Sequence, residues 1–156
     1  MRRAFFLPLV TIAIACSSSD SGTTSSSGSS GSSATSVTQT VGPDGGTIVV
    51  GGATVTIPKG ALAAAKDITI TNAGSSQPAG FVALSPVFKC EPSGTDFAQP
   101  VTMQMPFTDD GKGAFTMFWS TGSDPTFKDV GGTVQGKTVV ATVMHFSSGF
   151  VGRKQP

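Results

Sequence analysis

The sequence contains few of the side chains that build catalytic and metal sites. Its 156 residues include two cysteines, one histidine, one glutamate and no tyrosine. A zinc site usually needs three or four histidine, cysteine or carboxylate ligands, and a hydrolytic triad needs a nucleophile, a base and an acid. The sequence therefore predicts no metal site, no cofactor and no conventional triad. The adjacent carboxylates Asp109 and Asp110 lack the spacing of a calcium loop, which favours a solvated turn.

Charge is also sparse. Charged residues make up 12% of the chain, and the formal net charge is +1. Two of the basic residues, Arg2 and Arg3, lie at the extreme N-terminus. Without them, eight Lys and Arg residues stand against nine Asp and Glu residues, which gives a balance of 8 − 9 = −1. Such a chain has no basic field that could attract nucleic acid, so we expect no nucleic-acid partner.

The apolar stretch of residues 4–15 is too short to span a bilayer, which takes about 20 apolar residues. It follows a pair of arginines and leads into small residues, which is the layout of an export signal. A cysteine follows directly, in the run Ala13-Ile14-Ala15-Cys16. This run resembles the lipobox of bacterial lipoproteins. The resemblance implies that residues 1–15 are a signal peptide and that Cys16 becomes an acylated N-terminus inserted in membrane lipid. An ordinary signal peptide with an incidental cysteine is the alternative.

The residue after the cysteine bears on the location of the protein. In Gram-negative lipoproteins an Asp at that place tends to retain the protein in the inner membrane, whereas this chain has Ser17. The resemblance therefore implies a lipid-anchored protein of the bacterial cell envelope, located at the outer membrane.

Residues 17–36 are almost all Ser, Gly and Thr, with a single Asp20. A segment of this composition has too little apolar surface to offset its conformational entropy, so we expect a flexible linker. Its root-mean-square reach is about 25 Å. The predicted organisation is a signal peptide over residues 1–15, a lipidated cysteine and linker over 16–36, and one folded domain over 37–156.

The folded domain shows a period of two over most of its length. The clearest example is the alternation of Val101, Met103 and Met105 with Thr102 and Gln104. Turn residues separate the alternating segments, as in Asp109-Asp110-Gly111 and Gly136-Lys137. Many short strands with closely spaced turns predict an all-β domain, an antiparallel sandwich in which one face of each strand is buried and the other solvated.

Three local features of the domain are less regular. The alanine-rich residues 60–66 predict one or two turns of helix. Residues 139–146 are apolar in both phases, which indicates a strand that is either buried on both faces or bulged. If lipidation uses Cys16, Cys90 has no disulfide partner within the chain. We expect Cys90 to be a small buried apolar residue, with a reactive or intermolecular thiol as the alternative.

Several segments together resemble a ZU5 domain. They are Thr54-Val55-Thr56-Ile57-Pro58-Lys59-Gly60-Ala61-Leu62, Leu84-Ser85-Pro86-Val87-Phe88-Lys89-Cys90 and Phe97-Ala98-Gln99-Pro100-Val101. ZU5 domains are β-sandwiches of ankyrins, netrin receptors and tight-junction scaffolds. The resemblance implies a ZU5-like, immunoglobulin-like sandwich that serves as a protein-interaction module, with a partner that the sequence does not name.

Residues 131–138 match the phosphate-loop pattern G-x-x-x-x-G-K-T. That pattern binds phosphate only where the loop follows a strand and opens a helix. Here Lys137 precedes a run of β-branched residues, so we interpret Gly136-Lys137 as a hairpin turn and expect no nucleotide.

The run His145-Phe146-Ser147 is similar to the junction at which some ZU5 modules cut their own backbone. By resemblance, the Ser147 hydroxyl would attack the carbonyl of Phe146, and His145 would relay the proton as base and then acid. The simpler alternative is an ordinary strand with Phe146 inward and its two neighbours outward. The sequence thus supports two hypotheses. One is a non-enzymatic, membrane-anchored lipoprotein that presents an interaction module to a protein or envelope partner. The other is a self-processing module cleaved between Phe146 and Ser147.

Overall fold

The computed structural model describes residues 35–122 and 126–156, and within them the chain forms twelve β-strands and no helix. The strands are β1 (Ser36–Val41), β2 (Gly46–Val50), β3 (Ala53–Ile57), β4 (Lys66–Asn72), β5 (Phe81–Ala83), β6 (Phe88–Glu91), β7 (Asp96–Pro106), β8 (Thr116–Ser120), β9 (Phe127–Gly131), β10 (Thr133–Gln135), β11 (Thr138–His145) and β12 (Ser148–Lys154).

The strands form two antiparallel sheets that enclose one hydrophobic core. The first sheet has the order β1-β4-β6-β12-β8-β9, and β5 pairs with β12 outside that path. The second sheet has the order β10-β11-β7-β3-β2. The predicted all-β, antiparallel sandwich is confirmed.

Strand β7 shows how the sequence specifies this architecture. Its inward residues Val101, Met103 and Met105 are fully buried, whereas Thr102 and Gln104 between them lie on the outer face. Because side chains alternate between the faces of a strand, the period of two directs the apolar set into the core. The strand pairs with β3 on one side and β11 on the other, which makes it the middle strand of the second sheet.

The ambiguous run at 139–146 is bulged. The register between β11 and β7 shifts between Val143 and His145, and the side chain of Met144 in this bulge is 51% exposed. A bulge places one extra residue opposite the partner strand and turns the chain. It therefore redirects the chain just before the His145-Phe146-Ser147 run.

The predicted helical turns at residues 60–66 are absent, and that prediction is wrong. The Ala61 amide donates to the Pro58 carbonyl at 3.1 Å, and Gly60 has a φ of 79°, which only glycine adopts without strain. The Ala61 carbonyl then accepts from the amide of Ala98 at 3.0 Å. A segment this short cannot offset the cost of nucleating a helix, so its polar backbone groups bind neighbouring loops and strands instead.

The outer face of the first sheet also differs from the predicted solvated face. Phe118 and Phe150 point away from the core, yet they are 2% and 0% exposed. Phe81 of β5 meets both rings and Phe127 of β9 meets Phe150, with ring centroids 4.8 to 5.5 Å apart in edge-to-face contacts. These four rings form a small aromatic cluster outside the sandwich.

The predicted signal peptide, Cys16 and all but the last two residues of the linker lie outside the described residues. Strand β1 begins at Ser36, the last residue assigned to the linker. Over the two described ranges, no helix is long and apolar enough to cross a membrane.

Candidate functional site

The His145-Phe146-Ser147 run lies where the chain crosses from one sheet to the other. Strand β11 ends at His145 in the second sheet, and β12 begins at Ser148 in the first. The bulge at the end of β11 produces the turn that this crossing requires. The run is therefore a corner of the sandwich rather than part of an edge strand.

The side chain of Phe146 anchors this corner in the core. It is fully buried and meets Phe97 edge to face, with ring centroids 4.7 Å apart. The amide of Phe146 donates to the carbonyl of Thr95 at 2.9 Å. The inward orientation expected for Phe146 is thus observed.

Hydrogen bonds hold the backbone on both sides of the Phe146–Ser147 peptide bond. The Phe146 carbonyl accepts from the Gly94 amide at 2.8 Å, and the Ser147 carbonyl accepts from the Cys90 amide at 2.8 Å. Gly94 has a φ of 75° in a tight turn closed by the Thr95 amide on the Pro92 carbonyl. This turn directs the Gly94 amide at the carbonyl that a self-cleavage reaction would attack.

His145 is held by two contacts with the end of β8. Its Nε2 lies 3.1 Å from the Ser120 carbonyl, and its own carbonyl accepts from the Trp119 indole N–H at 3.1 Å. A carbonyl oxygen can only accept, so this bond requires the proton on Nε2. In the neutral ring, Nδ1 is then the nitrogen able to act as a base.

Ser147 is 3% exposed, and its hydroxyl donates to the Gly122 carbonyl over a long 3.4 Å. No hydrogen bond within the described ranges joins His145 to Ser147. The His145 ring contacts the last residue of β8, and the Ser147 hydroxyl contacts the segment that follows β8. The described non-glycine residues, those at this corner included, all have negative φ angles. The corner therefore carries no left-handed backbone strain.

The arrangement supplies some parts of an acyl-transfer site. A nucleophilic hydroxyl lies next to the carbonyl, and a backbone N–H donates to the oxygen on which negative charge would develop. The base is present, but no hydrogen bond within the described ranges joins it to the hydroxyl. As it stands, the geometry holds a sandwich corner, and reaction would need the Ser147 hydroxyl to leave the Gly122 carbonyl and meet Nδ1 of His145.

With the sandwich and this corner defined, the family can be assigned. The model of the ZU5 domain matches residues 37–117. The chain belongs to the ZU5 domain family. Among curated proteins, none matches the chain.

The ZU5 match extends from β1 into β8 and includes the Gly94 turn, but it ends before His145. ZU5 domains generally mediate protein–protein interactions, so the chain carries an interaction module. The Ser-Pro segment of the resemblance has a structural role in this ZU5 fold. Ser85 is buried, and its hydroxyl accepts from the Val151 amide at 2.8 Å, which fastens β12 to the loop before β6.

The other candidate residues in the described ranges are structural. Gly136 and Lys137 form the turn of the β10–β11 hairpin, as predicted. Cys90 is fully buried and unpaired, and burial raises the pKa of its thiol, so it is the small apolar residue that was expected. Asp110 binds Arg153 through two hydrogen bonds of 2.8 and 2.5 Å. This hydrogen-bonded guanidinium lowers the pKa of the Asp110 carboxyl to about 2.

The sequence did not indicate three contributors to the corner: the Gly94 amide, the Thr95 carbonyl and the Trp119 indole. Two of them are backbone groups, which every residue carries, so no residue type signals them. The Trp119 indole N–H needs a partner because the ring is buried, but its acceptor is fixed only by the folded chain.

Proposed function

We propose that this chain is a lipid-anchored ZU5 protein of the bacterial cell envelope that presents its sandwich to a protein or envelope partner and is not an enzyme. The observation that carries this proposal is the ZU5 match to residues 37–117 of a sandwich whose candidate nucleophile, Ser147, is buried and donates to a backbone carbonyl. Membership of a family of interaction modules supports binding, and the burial of Ser147 argues against catalysis on another substrate.

The sequence of the N-terminus supports the anchor. Residues 4–15 form an export signal, Cys16 follows it directly, and residues 17–36 have the composition of a spacer. Two or three acyl chains on one cysteine bury enough CH₂ groups, at about 0.8 kcal/mol each, for stable membrane attachment. Attachment at the outer membrane follows from Ser17 in place of Asp.

The anchor can be tested on the full-length chain expressed in a Gram-negative bacterium. Intact mass should show cleavage before Cys16 and the added mass of acyl chains, and the protein should fractionate with the outer membrane. The Cys16→Ser variant should lose the lipid and move to the soluble fraction, whereas Ser17→Ala should remain lipidated. A wild-type chain with a free thiol at Cys16 would contradict the proposal.

The Gly94 hydrogen bond favours a second function, self-processing between Phe146 and Ser147. The Ser147 Oγ would form a bond to the Phe146 carbonyl carbon while the Gly94 amide, 2.8 Å from the oxygen, stabilises its charge. Breaking the C–N bond leaves an ester and a free Ser147 amine, which takes the hydroxyl proton through His145. Water then opens the ester and yields the Phe146 carboxylate and the restored hydroxyl.

The position of β12 determines what would happen to the chain after self-processing. The strand lies inside the first sheet, between β8 on one side and β6 and β5 on the other. After cleavage, residues 147–156 would remain bound as a noncovalent strand. Measurements that keep the protein folded would therefore not detect the cleavage.

Denaturing intact-mass analysis separates the two functions. For self-processing, the wild-type mass should be divided between residues 16–146 and 147–156, and Ser147→Ala should restore one chain. Ser148→Ala, which changes the adjacent serine at the start of β12, is the matched control and should still be cut. A single full-length mass for folded wild-type protein would reject self-processing and leave the binding function standing.

A further inference from the structure

The two central rows of the outer face of the second sheet carry no charged residue. A row of threonines crosses four adjacent strands, one from each: Thr47, Thr56, Thr102 and Thr142. The next row along the strands is equally uncharged: Val49, Thr54, Gln104, Val140 and Thr133. We call these two rows the threonine face.

Charge is distributed very unequally between the two sheets. In the strands of the second sheet the only Asp, Glu, Lys or Arg is Asp96, at the end of β7 away from both rows. The other charged residues that lie in strands belong to the first sheet: Lys66, Asp67, Lys89, Glu91, Lys128, Asp129, Arg153 and Lys154. Lys59 and Lys137 lie in turns next to strands of the second sheet. A charged partner docked on the threonine face would bury its charges without counter-charges, which is costly.

We propose that the threonine face is a homodimer interface that packs against the same face of a second copy. A copy of itself offers the uncharged surface that this face requires. Each threonine hydroxyl is both donor and acceptor, so identical rows can satisfy one another. A hydrogen bond between two threonine hydroxyls occurs in the first sheet, where those of Thr38 and Thr69 lie 2.7 Å apart.

The geometry is compatible with a two-fold axis. Two twisted sheets pack face to face about 10 Å apart, and a closed dimer uses the same patch on both copies. Thr102 lies on β7, the middle strand, so an axis through the centre of the face brings Thr102 close to the partner's Thr102. Val49 is 51% exposed at one end of its row and would gain cover in this packing.

The linker leaves this face accessible. It joins the domain at β1, which belongs to the first sheet, on the opposite side of the sandwich. The inference rests in part on the proposed anchor. The face measures about 20 Å by 15 Å from strand and residue spacings, or about 300 Å² on each copy. This is below the roughly 800 Å² per partner of a standard specific interface, so pairing should be weak in solution. Confinement of anchored copies to one membrane raises their effective concentration and favours the dimer.

Cysteine crosslinking of the full-length chain in isolated envelope membranes tests the contact. Thr102→Cys should yield covalent dimers with a short bis-maleimide, whereas Thr69→Cys, on the outer face of the other sheet, should yield few. Cys90 adds no background because it is fully buried. Equal dimer yields at the two positions would overturn the proposal.

A charge-swap experiment tests whether like faces meet. Chains with two different tags should co-purify as wild type and lose co-purification when both carry Thr102→Lys or both carry Thr102→Glu. Mixing the Lys and Glu variants should restore it, because opposite charges then meet across the axis. Thermal melts check that the single variants remain folded. The inference would be overturned if same-charge variants co-purify as well as wild type does. It would also be overturned if wild-type chains do not co-purify and the face instead binds an envelope polysaccharide.

The anchor and the interface can fail separately. Fractionation and intact mass report on Cys16 without reference to the dimer. If the chain proves soluble, the same crosslinking in a Cys16→Ser background, at increasing protein concentration, still compares Thr102 with Thr69, and equal yields still reject the interface.

Discussion

Replacing Gly149 with alanine should destabilise the domain strongly, because there is no space for a methyl group at this position. Gly149 of β12 lies opposite Trp119 of β8. A Cβ there would overlap Cε3 of Trp119 and lie 2.6 Å from Cζ3 and 2.7 Å from the Phe118 carbonyl oxygen. The φ angle of Gly149 is not in the left-handed region, so the substitution tests packing alone.

The magnitude follows from how firmly Trp119 is held. The indole is 2% exposed and donates to the His145 carbonyl at 3.1 Å. Overpacking a core of this kind costs about 1 to 3 kcal/mol, and a ring that moves enough to break its buried hydrogen bond adds about 1 kcal/mol or more. We expect Gly149→Ala to lower the free energy of unfolding by about 2 to 4 kcal/mol. For a domain of this size, the melting temperature should fall by about 10 °C.

The assay is urea and thermal unfolding of the wild-type and variant chains. Gly42→Ala is the matched control, because a Cβ there meets nothing closer than the Cβ of Ala65 at 4.0 Å. It should shift stability by less than about 1 kcal/mol. A second substitution, Trp119→Phe, removes part of the obstructing ring. The Gly149→Ala/Trp119→Phe double variant should therefore lose less unfolding free energy than the sum of the losses in the two single variants. If the free energies of unfolding of Gly149→Ala and Gly42→Ala differ by less than about 1 kcal/mol, the packing argument is wrong.

Three further predictions follow from the described contacts. Phe146→Ala should cost about 3 to 5 kcal/mol in denaturant unfolding, since it empties a buried site against Phe97, and a loss below 1 kcal/mol would contradict that role. Because Arg153 lowers the pKa of Asp110 to about 2 from an ordinary value near 3.8, the pair stabilises the fold above that ordinary value and loses its effect as pH falls through about 2. Asp110→Asn should therefore melt lower than wild type at neutral pH, and the difference should shrink as pH falls from about 4 towards 2; a difference that stays constant over that range would refute the linkage. Cys90 should resist N-ethylmaleimide in the native protein and react once it is unfolded, and rapid native labelling would show that the thiol is accessible.

The local alternation of β7 could be predicted because each residue's face depends only on its position along the strand. The order of the strands could not, because β12 reaches β6 and β8 through pairings far apart in sequence. The cover over Phe118 was missed for the same reason. Its aromatic partners come from β5 and β12, and nothing near Phe118 in the sequence indicates that they meet on the outer face.

The candidate site was predicted in part. The resemblance located His145, Phe146 and Ser147, and the inward position of Phe146 was expected from alternation. Their surroundings were not, because the Gly94 amide and the Ser120 carbonyl are backbone groups supplied by distant turns. The expected outward position of Ser147 also failed to indicate its burial, which results from the chain crossing between sheets at this corner.

The contacts of β12 determine what cleavage after Phe146 would change in the protein. Strand β12 is bound along both edges, and the buried Ser85 hydroxyl holds the Val151 amide. The lipid attachment proposed for Cys16 lies at the other end of the chain, so cleavage would detach neither the anchor nor the last strand at equilibrium. A cut would instead remove the covalent link between the two sheets at this corner. Its consequence would be lower resistance of the sandwich to force or denaturant. Comparing the unfolding of wild type with Ser147→Ala would then show a more stable variant only if wild type is cut.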